Sequence, residues 1–152
     1  MFKHILLPTD GSAVSLKAAE AGISFAKEHG ARVTIYHAMD PLPRYLWDEG
    51  FALPKELLDR MEEQAEQKAQ ELVTEAAEAA KAAGIEFDTA VDRPSSPHQG
   101  ILDAAMRNRC DAIFIGSHGR SGMAGLLLGS VTRKVLSYAN IPVTVYPNEV
   151  TA

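Results

Sequence analysis

The sequence predicts an α/β fold: one domain, residues 1–152, on an open five-stranded parallel sheet with helices on both faces. Three observations carry this. Short apolar, β-branched runs alternate with segments of helical periodicity, and right-handed strand–helix–strand crossovers lay such helices against the two faces of a parallel sheet. At 152 residues, 46% hydrophobic and 23% charged, the chain fits a single sizeable core. Cys110 is the only cysteine, which excludes an intrachain disulfide and agrees with a reducing compartment. No apolar run reaches the ~20 residues of a membrane span, and Met1 leads into a strand without a signal-peptide pattern. A cytoplasmic location is therefore expected. The net charge of −5 speaks against nonspecific nucleic-acid binding.

The first unit is His4 to Asp10, a strand in which Pro8 cannot donate a ladder hydrogen bond and so belongs at the C-terminal end, with Thr9 and Asp10 leaving the sheet. Ser12 or Ser15 starts a helix to about His29, with Leu16, Ala19, Ile23 and Ala26 on one stripe and Gly30 as its stop. Arg32 to Met39 reads as strand two. Residues 40–54 follow as a long loop, in which Tyr45, Leu46, Trp47 and Phe51 read first as packing area and second as a lid over a ligand or a partner surface. Lys55 to Ala83 is the longest helical pattern. Its eight carboxylates, several spaced to pair with Lys or Arg, describe a solvated face. Gly84 stops it, Ile85 to Val91 is strand three, and a helix from about His98 to Asn108 follows the loop R-P-S-S-P. Ala112 to Ile115 is a buried fourth strand, and Ile141 to Tyr146 the fifth.

The chemistry concentrates after strand four. Gly116, Gly119, Gly122 and Gly125, mixed with Ser117, His118, Arg120 and Ser121, make a loop before helical periodicity resumes at Val131, with Ser130 or Thr132 placed to cap the new helix. Glycine lets a ligand approach main-chain N–H groups. A helix N-terminus adds unsatisfied N–H groups and the positive end of the macrodipole, so Gly129, Ser130 and Val131 are candidate phosphate donors. Charge agrees: from Ala112 to Asn148 there is no Asp or Glu, while Arg120, Arg133 and Lys134 are present. A P-loop is excluded because no glycine precedes a lysine, and a Rossmann G-x-G-x-x-G is absent after strand one.

What stands instead is G-x2-G-x9-G-S: Gly116, Gly119, Gly129 and Ser130. This spacing, in the fourth of five strand units, resembles the ATP-binding signature of the universal stress protein family, and the resemblance covers essentially the whole chain. It implies an adenine nucleotide alpha hydrolase-like, Rossmann-like sheet of order 3-2-1-4-5, which brings the ends of strands one and four together at the switch point where such folds bind ligands. It also implies a nucleotide site. Pro8, Thr9 and Asp10 would lie against the nucleotide, Ala38 would read adenine through its main chain, and Gly116, His118, Gly119, Gly129, Ser130 and Val131 would hold phosphate and ribose. Arg120 adds charge to that loop or stays solvated. Asp10 either caps the first helix, accepts from ribose hydroxyls or holds Mg²⁺, the last because a carboxylate faces phosphate oxygens only across a cation. The implied cofactors are ATP or AMP with Mg²⁺. The implied assembly is a homodimer through edge strand five, using Val143, Val145 and Tyr146.

Two functions remain open on the sequence. The first is an ATP-binding stress-response regulator whose output is an oligomer change or contact with a regulatory protein partner. The second is an ATP-hydrolysing or nucleotidyl-transfer enzyme of the same architecture, with His118 as a base toward water. No arginine finger, water-positioning Gln or second essential carboxylate declares itself, so hydrolysis is expected to be slow. An interaction module whose loop meets only chance anions is a third, weaker reading. His4, His29, His37, His98 and His118 are scattered without metal-ligand spacing, no G-x-S-x-G elbow is present, and Cys110 reads as a small core residue.

Overall fold

The computed structural model describes residues 1–43, 53–118 and 128–147. Strands β1 (His4–Pro8), β2 (Arg32–Ala38), β3 (Phe87–Asp92), β4 (Ala112–Gly116) and β5 (Val143–Tyr146) form one sheet in the order β3-β2-β1-β4-β5. Every pairing is parallel, with His4 opposite Arg32, Ile5 opposite Ala112, Val33 opposite Phe87 and Ile113 opposite Val143. The described helices are α1 (Ala13–His29), α2 (Lys55–Ala83), α3 (Pro97–Arg107) and α4 (Ser130–Tyr138). None is long and apolar enough to cross a membrane.

The pleat sorts the core into two halves, because successive side chains leave opposite faces. Ile5, Leu7, Val33, Ile35, Ala112 and Phe114 pack against Ile23 and Ala26 of α1 and Val73, Ala77 and Ala80 of α2. Leu6, Tyr36, Ile113 and Ile115 pack against Ile101 and Ala104 of α3 and Val135 of α4. The central strands β1, β2 and β4 are buried on both faces, so β1 and β4 read as continuous apolar runs rather than alternations, whereas the edge strands β3 and β5 are only partly covered. On the second face the Tyr36 hydroxyl donates to Asp92, which also accepts from Arg107 and so fastens α3 to the end of β3. Burial and that carboxylate hold the Tyr36 phenol protonated far above its usual range.

Gly30 and Gly84 end α1 and α2 in the left-handed conformation, as predicted. Two strand starts differ from the sequence reading. The Ile85 N–H closes the cap of α2 on Ala80, so β3 begins at Phe87. Pro142 lacks an N–H and gives its carbonyl to Ile113, so β5 begins at Val143. Helix α2 has 29 residues, yet its buried side chains, Ala69, Val73, Ala76, Ala77 and Ala80, all lie in its second half. Of its carboxylates only Glu62 is partly covered, by an ion pair with Arg93 at 3.2 Å.

Helix α3 ends without glycine. Arg109, exposed and at φ 56°, is the one described non-glycine residue in left-handed geometry. That conformation costs a residue with a Cβ roughly 1–2 kcal/mol, while glycine gives back part of this through unfolded-chain entropy. Arg109→Gly is therefore expected to raise stability by up to about 1 kcal/mol, read as a melting temperature about 2–4 °C higher by scanning calorimetry.

Candidate functional site

The β1–β4 ladder comprises the pairs Ile5–Ala112 and Leu6–Ile113, while the two strands run on to Pro8 and Gly116. Pro8 brings no N–H, so its position cannot extend a ladder by donation. The strand ends part there. This is where the chain direction switches, because β1 continues through α1 to one side of the sheet and β4 is reached from the other.

The β1 side of the opening is a rigid turn. Thr9 is 5% exposed and donates its N–H to Tyr36, its Oγ1 is hydrogen-bonded to Ser15 Oγ at 2.9 Å, and its carbonyl accepts from His37 Nδ1 at 2.8 Å. Ser12 is the N-cap of α1, accepting from the Ser15 N–H at 3.2 Å. Asp10 does not occupy that cap. Its Oδ1 instead accepts from the Ser12 N–H at 2.9 Å, an Asx turn that fixes the carboxylate at the rim. Gly11 sits at φ 81°, a conformation that favours glycine, and a Cβ there would lie 2.6 Å from Leu72 Cδ1 of α2, so that side chain would have to shift. Ala38, half-buried at the end of β2, stands opposite Asp92. Beyond it a cleft of about 510 Å³ is lined by Met39, Val91, Arg93, Glu62, Gln67 and their neighbours.

The β4 side is the start of α4. Gly116 is buried, and a Cβ on it would lie 3.3 Å from Ala18 Cβ. Ser117 donates its N–H to Tyr146 and accepts from the Gly129 N–H at 2.7 Å, while Thr132 Oγ1 donates to the Gly116 carbonyl at 2.8 Å. These bonds hold the end of β4 to the start of α4. Helix α4 has Gly129 as N-cap with no side-chain cap bond, and its first internal bond runs from Arg133 N–H to the Gly129 carbonyl. The expectation that Ser130 or Thr132 caps this helix is thus corrected. Ser130 is already the first helical residue, and the Thr132 hydroxyl is turned inward to β4. The N–H groups of Ser130, Val131 and Thr132 have no intrahelical acceptor and open beside the end of β4.

Residues 1–147 match the universal stress protein family. The chain belongs to that family. A universal stress protein of Thermus aquaticus, encoded in the QAH/OAS sulfhydrylase 3′ region, is 36% identical over 94% of this chain and 97% of its own length. The fold superposes on protein MJ0577 of Methanocaldococcus jannaschii with a TM-score of 0.81 at 26% identity, over 98% of each chain. It also superposes on a universal stress protein of Archaeoglobus fulgidus in complex with dAMP, with a TM-score of 0.63 at 22% identity, over 95% of this chain and 97% of that one.

In this universal stress protein the fold brings Pro8, Thr9, Asp10, Gly116, His118, Gly129, Ser130 and Val131 to one end of the sheet, although over 100 residues of sequence separate the two groups. Ser117 Oγ and His118 Nδ1 are hydrogen-bonded at 3.1 Å. Gly119 and Arg120 lie outside the described residues, as do Tyr45, Leu46, Trp47 and Phe51 of the suggested lid. The donor set is main-chain N–H groups at a helix start and suits anionic oxygens. Among the described residues no group of three or more His, Cys, Asp or Glu stands together that could hold a metal by itself. The sequence reading took Ser15 and Thr132 only as possible helix starts and His37 only as one of the scattered histidines, whereas Ser15 and His37 hold Thr9 and Thr132 holds Gly116. Their only signal was a polar residue at a position the periodicity assigns to the core.

Proposed function

We propose that this protein binds an adenine nucleotide, ATP or AMP, across the ends of β1 and β4 and acts as a nucleotide-dependent regulator in the stress response. The observation that carries the reading is the uncapped start of α4, held against Gly116 by the Thr132 hydroxyl and by the Gly129–Ser117 bond. Gly116, His118, Gly119, Gly129, Ser130 and Val131 would hold the phosphates and ribose, with Arg120 adding charge. Pro8, Thr9 and Asp10 would form the opposite wall, and Ala38 would meet the base. Asp10, a carboxylate in the turn after β1, would suit a Mg²⁺ bridging to phosphate. The Archaeoglobus fulgidus protein of this fold is in complex with dAMP, which supports the reading.

The regulatory reading includes hydrolysis at most slow, and a homodimer in which Val143, Val145 and Tyr146 of edge strand β5 pair with a second copy. Isothermal titration with ATP, AMP and GTP, with and without Mg²⁺, is the test. Saturable adenine-nucleotide binding at millimolar or tighter affinity is expected, with GTP weaker, and its absence sinks the proposal. A genuine enzyme would instead release phosphate well above background and lose this in His118→Ala or Asp10→Ala. Light scattering checks the dimer.

A further inference from the structure

The ladder between β1 and β2 ends on a side chain. Its register runs from His4–Arg32 to Pro8–Tyr36, and its last backbone bond carries the Thr9 N–H to the Tyr36 carbonyl at 2.8 Å. A regular parallel ladder would go on from the Thr9 carbonyl to the N–H of Ala38, two residues further along β2. Among the described residues that bond is not made. His37, 8% exposed, takes the Thr9 carbonyl instead, through Nδ1 at 2.8 Å. A carbonyl only accepts, so Nδ1 carries the proton and the tautomer is fixed. The other end of the same peptide is also held, because the Asp10 N–H donates to Ser15 Oγ at 3.3 Å. The peptide between Thr9 and Asp10 is thus clamped on both edges as the chain turns out of the sheet toward α1.

Main-chain groups along a parallel strand face its two neighbours by turns, with the N–H and carbonyl of one residue on the same side. Tyr36 bonds on the β1 side and Met39 donates to Asp92 on the β3 side, so the N–H and carbonyl of Ala38 face the β1 side. There β1 has already left the sheet. We propose, resting on the nucleotide reading above, that His37 is a positioning residue that sets base specificity: its ring holds the Thr9 carbonyl and so leaves the Ala38 main chain open to the base. The pattern selects adenine. Adenine presents an exocyclic amino donor where guanine presents an oxo acceptor, and the ring nitrogen beside it accepts in adenine and donates in guanine. The Ala38 carbonyl and N–H match the first arrangement, whereas the second sets acceptor against acceptor and donor against donor. Without the His37 donor the Thr9 carbonyl needs another partner, and the register supplies the Ala38 N–H. Closing that bond would complete the ladder and remove the donor that reads the base.

Titration calorimetry of ATP and GTP against wild type, His37→Phe and His37→Asn tests this. Phe keeps an aromatic ring and removes the donor, while Asn gives up the ring and keeps an amide N–H in place of Nδ1–H. Wild type is expected to favour ATP about tenfold or more, the scale of one two-bond base contact. His37→Phe should lower the ATP-to-GTP affinity ratio about fivefold or more through weaker ATP binding, while His37→Asn stays within about twofold of wild type. A purely structural role would weaken both nucleotides alike and leave the ratio unchanged. Amide exchange in the wild type gives a second readout should His37→Phe fold poorly. Before nucleotide is added the Ala38 amide should exchange fast beside a protected Thr9 amide, and ATP should slow it. An unchanged ratio in His37→Phe, an equal fall in His37→Asn, or an Ala38 amide as protected as that of Thr9 without ATP overturns the role of His37 alone. A wild type that binds neither nucleotide sinks the nucleotide reading, and base specificity with it, even where the Ala38 amide is open.

Discussion

Ser130→Asp is expected to strengthen helix α4 and to weaken nucleotide binding in the same molecule. Ser130 is the first helical residue and is exposed, with no side-chain cap bond made at this helix start. A carboxylate in the first turn meets the positive end of the macrodipole and stabilises a helix by about 0.3–1 kcal/mol. The same carboxylate would stand where the proposal places a phosphate. Two like charges about 4 Å apart repel by about 4 kcal/mol at the effective dielectric near a protein surface, before salt screening. A loss of about 100-fold in ATP affinity, about 2.7 kcal/mol, is the expected result by titration calorimetry. Ser130→Ala removes one hydroxyl without adding charge and should cost only about 0.5–1.5 kcal/mol of binding. A structural role for Ser130 would move stability and binding in the same direction. Unchanged ATP affinity in Ser130→Asp would remove α4 from the site.

The scaffold was legible in the sequence where local chemistry and global fold demand the same residue. Gly30 and Gly84 each satisfy a left-handed helix stop that little else tolerates, so those ends could be read from the chain alone. Strands β1 and β4 were legible because a strand covered on both faces leaves no room for alternation. The strand order, by contrast, came from the resemblance, since periodicity does not say which strands are neighbours. The site was legible as a location and less so as a mechanism. Asp10 read equally as cap and as ligand contact, and only the fold shows Ser12 capping α1 while Asp10 closes a turn behind it. The bond from His37 to Thr9 was invisible for a related reason. Its partners lie 28 residues apart, and each alone is an ordinary polar residue near the end of a strand.

Thr132 shows the same limit and supplies the sharper test. A threonine in the first turn of a helix reads as a cap, yet its hydroxyl donates inward to the Gly116 carbonyl across 16 residues of sequence, and the side chain is 3% exposed. Its work is to set the distance between the end of β4 and the start of α4. Thr132→Val keeps the shape and removes the donor. Taking away one partner of a buried hydrogen bond costs about 1–3 kcal/mol, or a melting temperature lower by about 4–8 °C for a loss near 2 kcal/mol in a domain of this size. Thr132→Ser keeps the hydroxyl and loses about one buried methyl, about 0.8 kcal/mol. If the bond only stabilises the fold, binding of ATP to the folded fraction of either variant should match wild type. If it positions the α4 N–H groups over the opening, Thr132→Val should bind about tenfold or more weakly, equivalent to about 1.4 kcal/mol, while Thr132→Ser stays near wild type. The second pattern is expected, because the bond from Gly129 N–H to Ser117 fixes the N-cap but not the rotation of the helix that follows, which the Thr132 hydroxyl sets against β4.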